Sequence, residues 1–250
     1  MEQSKVYFTS FKATEHENLL QKLHRLMKTA GFETIDFTDK YTAIKIHFGE
    51  YGNLAFLRPN YARVVADYVK ELGGKPYLTD CNTLYVGSRK NALDHLETAY
   101  VNGFSPYQTG CHVIIGDGLK GTDETLVPID GEYVKEAKIG HAIMDADVFI
   151  SLTHFKGHEM AGFGGALKIS VWAAVPGRVR WSSTVTASRR WTSPSVWDAA
   201  RATGYVPTAR PLSRMARRIS TMTNAWGADV VWRSVRKMRF PQALRIPSPC

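Results

Sequence analysis

A chain of 250 residues that is 44% hydrophobic can build one or two domains with true cores, which excludes disorder along its whole length. The net charge of +9 is lopsided: residues 1–168 carry 18 Lys+Arg against 21 Asp+Glu, whereas residues 169–250 carry 14 against 2, so basicity says nothing about the first part. Cys81, Cys111 and Cys250 are too dispersed for a disulfide framework, no apolar run reaches the ~18 residues of a membrane span, and the start resembles no secretory signal; the expectation is a cytoplasmic protein without a membrane partner.

Residues 5–9 (KVYFT) predict a short first strand. Thr14 and Glu17 read as a capping-box pair ahead of a helix whose Leu19, Leu20, Leu23, Leu26 and Met27 share one face, ending near Gly31. Residues 42–48 (TAIKIHF) alternate as a strand does. A second helix opens at Pro59, buries Val64, Val65, Tyr68, Val69 and Leu72, and stops at Gly73 and Gly74. The strand PYLTD follows, then a helix over residues 91–100 with Leu93, Leu96 and Tyr100 as inward candidates, and the strands HVIIGD and VFISLTHF. This order implies an α/β fold, a mostly parallel sheet flanked by helices.

Parallel sheets bind ligands beyond the carboxyl ends of their strands, where loops and helix starts converge. His47 and Glu50 lie at one such end, Asp80 and Asn82 at a second, Asp117 at a third and His154 at a fourth, so one shared cleft is expected. The stretch HFKGHEMAGFGGALK extends the fourth end. His154 and His158 are four apart and would share a face on a helical turn, with Glu159 adjacent; His47, Glu50, His154 and His158 are thus candidate ligands for a divalent metal. His154, His158, Glu159, Asp80 and Asp117 are the candidate catalytic groups, since neutral imidazole and carboxylate transfer protons near pH 7. Lys156, Gly162, Gly164, Gly165 and Lys168 would hold an anionic ligand through ammonium groups and close backbone approach, although the P-loop spacing is absent.

The strings KIHFGE, TDCNTLY, AYVNGF and DADVFISLTHFKGHEMAGFGGALK resemble the iron–sulfur centre proteins grouped as domain of unknown function 362 (DUF362). The resemblance covers residues 1–168. It implies that the glycine-rich lysine is followed by a two-cluster ferredoxin module, with two C-x-x-C-x-x-C-x-x-x-C quartets holding 4Fe-4S clusters. Here ISVWAAVPGRVRWSS follows instead, and composition breaks at the same point: all eight His precede Lys168, all six Trp follow it, and Arg:Lys passes from 4:14 to 13:1.

Loss of one base near the Lys168 codon accounts for both breaks. Each later residue is then spelled by the last two bases of one true codon and the first of the next, so a restored Cys requires Ala or Val. One quartet falls on Val196, Ala199, Ala202 and Val206, the other on Ala225, Ala228, Val231 and Val235. All eight comply, at the two-cluster spacing, although Ala and Val make up only 20 of the 82 tail residues. Residues 169–250 are therefore expected to be a basic, disordered, out-of-frame tail that replaces the ferredoxin domain and binds no cluster.

The functional expectation is an iron–sulfur electron-transfer protein in the intact relative, working with a redox partner or a small-molecule substrate. The alternatives are a metal-dependent hydrolase or phosphate-ester enzyme using the strand-end His/Glu site, and, ranked lowest, nucleic-acid binding through the tail. Inserting one base after the Lys168 codon should open a frame carrying both cysteine quartets, as sequencing of the coding DNA will reveal. A stop codon before the second quartet would refute the shift.

Overall fold

The computed structural model describes residues 5–83, 86–129, 135–158 and 162–171. Residues 5–9 form no strand: Tyr7 makes a single bridge and packs on the core, while Val6 and Phe8 face outward. Alternation put the two aliphatic and aromatic neighbours on the side that no element covers. Helix α1 (Leu19–Thr29) starts one turn later than the Thr14/Glu17 pair indicated. Its cap is Asn18, whose Oδ1 accepts the N–H groups of Leu20 and Gln21 at 3.0 Å, while Gln21 Oε1 accepts the Asn18 N–H at 2.9 Å. Thr14 Oγ1 instead accepts the Glu17 N–H in a preceding turn.

Strand β1 (Tyr41–Lys45) has every residue from Thr42 onward buried, as a central strand covered on both faces must. Helix α2 (Pro59–Glu71) starts on the expected proline, whose missing N–H costs a first turn nothing. It buries Ala62, Val65, Ala66, Tyr68 and Val69, and Gly73 in the left-handed region (φ 83°) lets the chain turn into β2 (Lys75–Asp80).

Helix α3 (Ala92–Val101) begins one residue after Asn91, which caps it rather than opening it, and presents a different face: His95, Thr98 and Ala99 are buried, whereas Leu93 and Tyr100 are exposed. Polar pairing sets this rotation, because Thr98 Oγ1 donates to the Ser88 carbonyl and His95 lies beside Asp80.

After the short helix α4 (Pro106–Thr109) come β3 (His112–Ile115), an antiparallel pair β4 (Glu124–Pro128) and β5 (Glu136–Gly140), the one-turn helix α5 (His141–Met144) and β6 (Val148–Ser151). Four strands form one parallel sheet in the order β3-β2-β1-β6. The α/β architecture is thus as the strand and helix order implied, while the β4–β5 pair lies between two of the expected strands where no element was expected. Leu23, Leu26 and Met27 of α1 join the buried face of α2 and the strand residues Ile44, Leu78 and Ile150 in one core. A smaller cluster of Cys81, Ile143, Ile139 and Phe149 lies around α5.

The chain then makes a second hairpin, β7 (Lys156–His158) with β8 (Gly162–Gly164), and enters α6 (Ala166–Val171). Of the tail expected to be disordered over residues 169–250, residues 169–171 complete α6, and the rest lies outside the described residues. Among the described residues no helix is long and apolar enough to cross a membrane.

Where β3 and β5 end, a Cβ on Gly140 would meet Gly116 O at 2.6 Å and Cys81 Sγ at 2.9 Å, so two backbones touch because no side chain intervenes. Gly140→Ala should therefore cost about 1–3 kcal/mol in urea denaturation, against under about 0.5 kcal/mol for Gly157→Ala, which has open space around it. Equal losses at the two sites would contradict this packing.

Candidate functional site

Because the four sheet strands run parallel, their carboxyl ends lie on one edge. His47 follows β1 and His154 follows β6, two and three residues beyond the paired positions Lys45 and Ser151 on adjacent strands. Asp80 closes β2 with Asn82 just beyond it, and Asp117 follows β3. Six expected residues, counting Glu50, thus lie at or just beyond strand ends on the same edge.

Their chemistry is dominated by a buried ionic chain that the sequence did not announce. Lys45, fully buried, places Nζ 2.8 Å from Asp80 Oδ1. Asp80, 1% exposed, also accepts the Cys81 N–H at 2.9 Å and receives Arg89 Nη1 at 3.3 Å. Arg89 then reaches Glu50, with Nη2 at 2.5 Å and Nε at 2.7 Å from Oε1, and Ser88 Oγ donates to Oε2 at 3.2 Å. Burial alone would raise the Asp80 carboxyl, but the cationic neighbours Lys45 and Arg89, with His95 when protonated, outweigh it and hold it well below the usual carboxylate range. Lys45, Arg89 and His95 are the residues that the motif reading missed.

Both histidines at this chain are neutral. Burial, aided by the Arg89 charge, pushes His47 down to about 4. Its Nδ1 accepts the Gly49 N–H at 2.9 Å, so the ring proton of the neutral form resides on Nε2. Gly49 makes this possible with φ 85°, and its close approach to Phe56 and Asn102 leaves no room for a Cβ. Burial pushes His95 down to about 3, although Asp80 pulls the other way. Its ring stands edge-on to Phe48 with both nitrogens lacking a hydrogen-bond partner, Nε2 lying 3.8 Å from Asp80 Oδ2.

Asp117 is fully buried and staples two loops: its Oδ1 accepts the Asn82 backbone N–H at 2.9 Å and Asn82 Nδ2 at 3.0 Å, and Nδ2 also donates to the Gly118 carbonyl. Asp80 and Asp117 are thus turned toward protein partners, and Glu50, expected as a metal ligand, is engaged by Arg89. Among the described residues no group of three or more His, Cys, Asp or Glu is placed to hold a metal ion.

The helical-turn reading of His154 and His158 is corrected. Residues 156–158 are extended and pair with residues 162–164, so the two histidines do not share a helical face; the glycines favour a hairpin over a helix. Glu159 lies outside the described residues. His154, partly buried, is lowered by desolvation and then by the Lys156 charge. The glycines of the rim are filled from within the protein: a Cβ on Gly164 would meet Lys168 Cδ at 3.3 Å, and one on Gly165 would meet Phe155 Cδ2 at 3.2 Å. Gly162 supplies the turn, with φ 76°. At the opposite, amino-terminal edge of the sheet, a groove of about 550 Å³ is lined by Tyr41, Lys75, Tyr77, His112 and Ile114.

Comparison with known proteins gives a match to the domain of unknown function DUF362 over residues 42–231. The matched span begins later than residue 1 and continues past Lys168, where the resemblance read from the sequence had stopped. A thylakoid-associated protein of Synechocystis is 26% identical over 129 residues, which cover 52% of this chain and 36% of that protein. The chain thus spans about a third of the length of this curated relative. No solved structure gives a significant match.

Two outcomes follow from the ionic chain. Arg89→Met leaves Asp80 and Glu50 without their shared cation and should cost about 3–5 kcal/mol in urea denaturation; a loss below about 1 kcal/mol would show the chain to be energetically idle. Separately, His47 and His95 have folded-state affinities for protons below the unfolded value of 6.5, so the unfolded chain takes up more protons as pH falls. Stability present above pH 6.5 should drop by about 2 kcal/mol per histidine on going to pH 5, and His47→Gln should flatten the profile; a flat wild-type profile over this range would contradict neutral burial.

Proposed function

This chain belongs to the DUF362 family, and we propose that its uninterrupted form is an iron–sulfur redox protein. In this reading the parallel α/β unit carries a strand-end ligand site, and a two-cluster 4Fe-4S ferredoxin module exchanges electrons with it. The observation that carries the proposal is the set of eight Ala and Val positions at two-cluster spacing in the tail.

The chain as written has three cysteines, Cys81, Cys111 and Cys250, too few for two quartets. Cys81 and Cys111 are buried in the α/β unit, and burial pushes the Cys111 thiol up to about 11, away from the ligating thiolate. The electron carrier is therefore missing from this frame while its partner unit is retained. A cytoplasmic, reducing setting suits the clusters and the cysteines of the α/β unit, and the partner is a redox protein or a small molecule bound at the strand ends.

The test is to restore one base after the Lys168 codon and express the chain without oxygen. The restored protein should be brown, with a broad visible absorption band and about eight irons per chain. A folded, restored protein that stays colourless and iron-free after reconstitution would overturn the proposal.

A further inference from the structure

Strand β3 ends the parallel sheet with its outer margin bare, whereas β6, the other terminal strand, lies beside α6. Gly116 donates its N–H to the Asp80 carbonyl at 2.9 Å, so by alternation Ile114 and His112 also turn their main-chain groups toward β2, and Val113 turns its N–H and C=O away. Among the described residues nothing pairs with those two groups. The strand reads HVII, with no lysine, acidic residue, proline or bulge to keep a further strand off. Ile114, 42% exposed, and the exposed His112 share one face of this margin. Helix α3 leads into β3, packs on it and adds an apolar flank. Its buried side looks toward β1 and β2, since His95 stands beside Asp80 and Phe48. Leu93, Tyr100 and Val101 are turned away from those strands, with Leu93 68% and Val101 65% exposed. The apolar stripe that periodicity assigned to the core is thus in part left uncovered beside an open strand.

We propose that a second copy of this chain covers this margin, its β3 running antiparallel to the first about a two-fold axis at Val113. In an antiparallel ladder, two residues facing each other as a hydrogen-bonded pair exchange both N–H···O bonds. Val113 offers one free donor and one free acceptor, so an axis through it satisfies all four groups at once. The same register sets His112 of each copy beside Ile114 of the other, on the face where both are exposed. A seam of four residues falls short of the roughly 800 Å² per partner that a stable dimer buries, so the helices must add to it. An axis normal to the sheet leaves both α3 helices on one face, flanking the seam, where their apolar flanks meet. A foreign strand at this margin would leave the α3 flank bare, whereas a second copy covers both. The inference goes beyond the proposed function and uses only residues that precede Lys168.

Sedimentation equilibrium of the full 250-residue chain, at concentrations up to about 50 μM, tests this. The wild-type chain should sediment as a dimer. Ile114→Lys, on the strand, and Leu93→Glu, on the helix flank, should each weaken association about ten-fold or more. Both residues are exposed, so the thermal melt of the diluted, monomeric chain should stay unchanged. A wild-type monomer at the highest concentration would overturn the proposal. So would association that both variants retain, which would run through the Arg-rich tail or another surface. A restored chain without iron would leave the dimer result untouched, so the two proposals fail separately.

Discussion

The fully buried contact between Lys45 and Asp80 is the constraint around which the sheet's carboxyl edge is arranged. Two opposite charges withdrawn from water are tolerated only with good geometry and further hydrogen bonds. Asp80 obtains these from its neighbour's N–H and from Arg89, and Arg89 must therefore fold back from the loop after β2. Thr83 secures that loop by donating its N–H to the Arg89 carbonyl at 2.7 Å. Glu50, on the loop after β1, is drawn in because the remaining face of the guanidinium needs an anion. One ion pair between two central strands thus dictates the path of two loops.

Charge is distributed accordingly. Over β1 and β2 each cation has its carboxylate, and the histidines among them carry none. On the β6 side the lysines of the hairpin and α6 stand without such partners among the described residues, so the edge divides into a charge-paired scaffold and an electrostatically open flank. An incoming anion gains nothing from the former, whose charges are already matched.

The parallel sheet was legible because its strands are short apolar runs separated by helical periods, and Pro59 and Gly73 punctuated α2 without ambiguity. Much of the polar edge was not. In TAIKIHF, alternation assigns Lys45 to a solvent face, but a central strand has no such face. The available signal was the pairing itself, a lysine and an aspartate both terminating apolar strands. His95 was hidden by Leu93 and Leu96, whose hydrophobicity outweighed it in any periodic reading of α3. His154 and His158 misled through spacing alone, since four residues span one helical turn but roughly 13 Å of extended chain.

The order β3-β2-β1-β6 has a kinetic consequence. Strand β1 meets β2 after one intervening helix, but its other neighbour is more than a hundred residues away, where Tyr41 donates its N–H to the Asp147 carboxylate across a sequence separation of 106. During synthesis β1 must therefore wait as an unprotected edge until β6 emerges, with its hydrogen-bonding groups open to wrong partners. High contact order of this kind slows folding and favours chaperone engagement. Since β6 ends at Ser151, every strand of the central sheet is encoded before Lys168, and the sheet has the same sequence whichever frame is read afterwards.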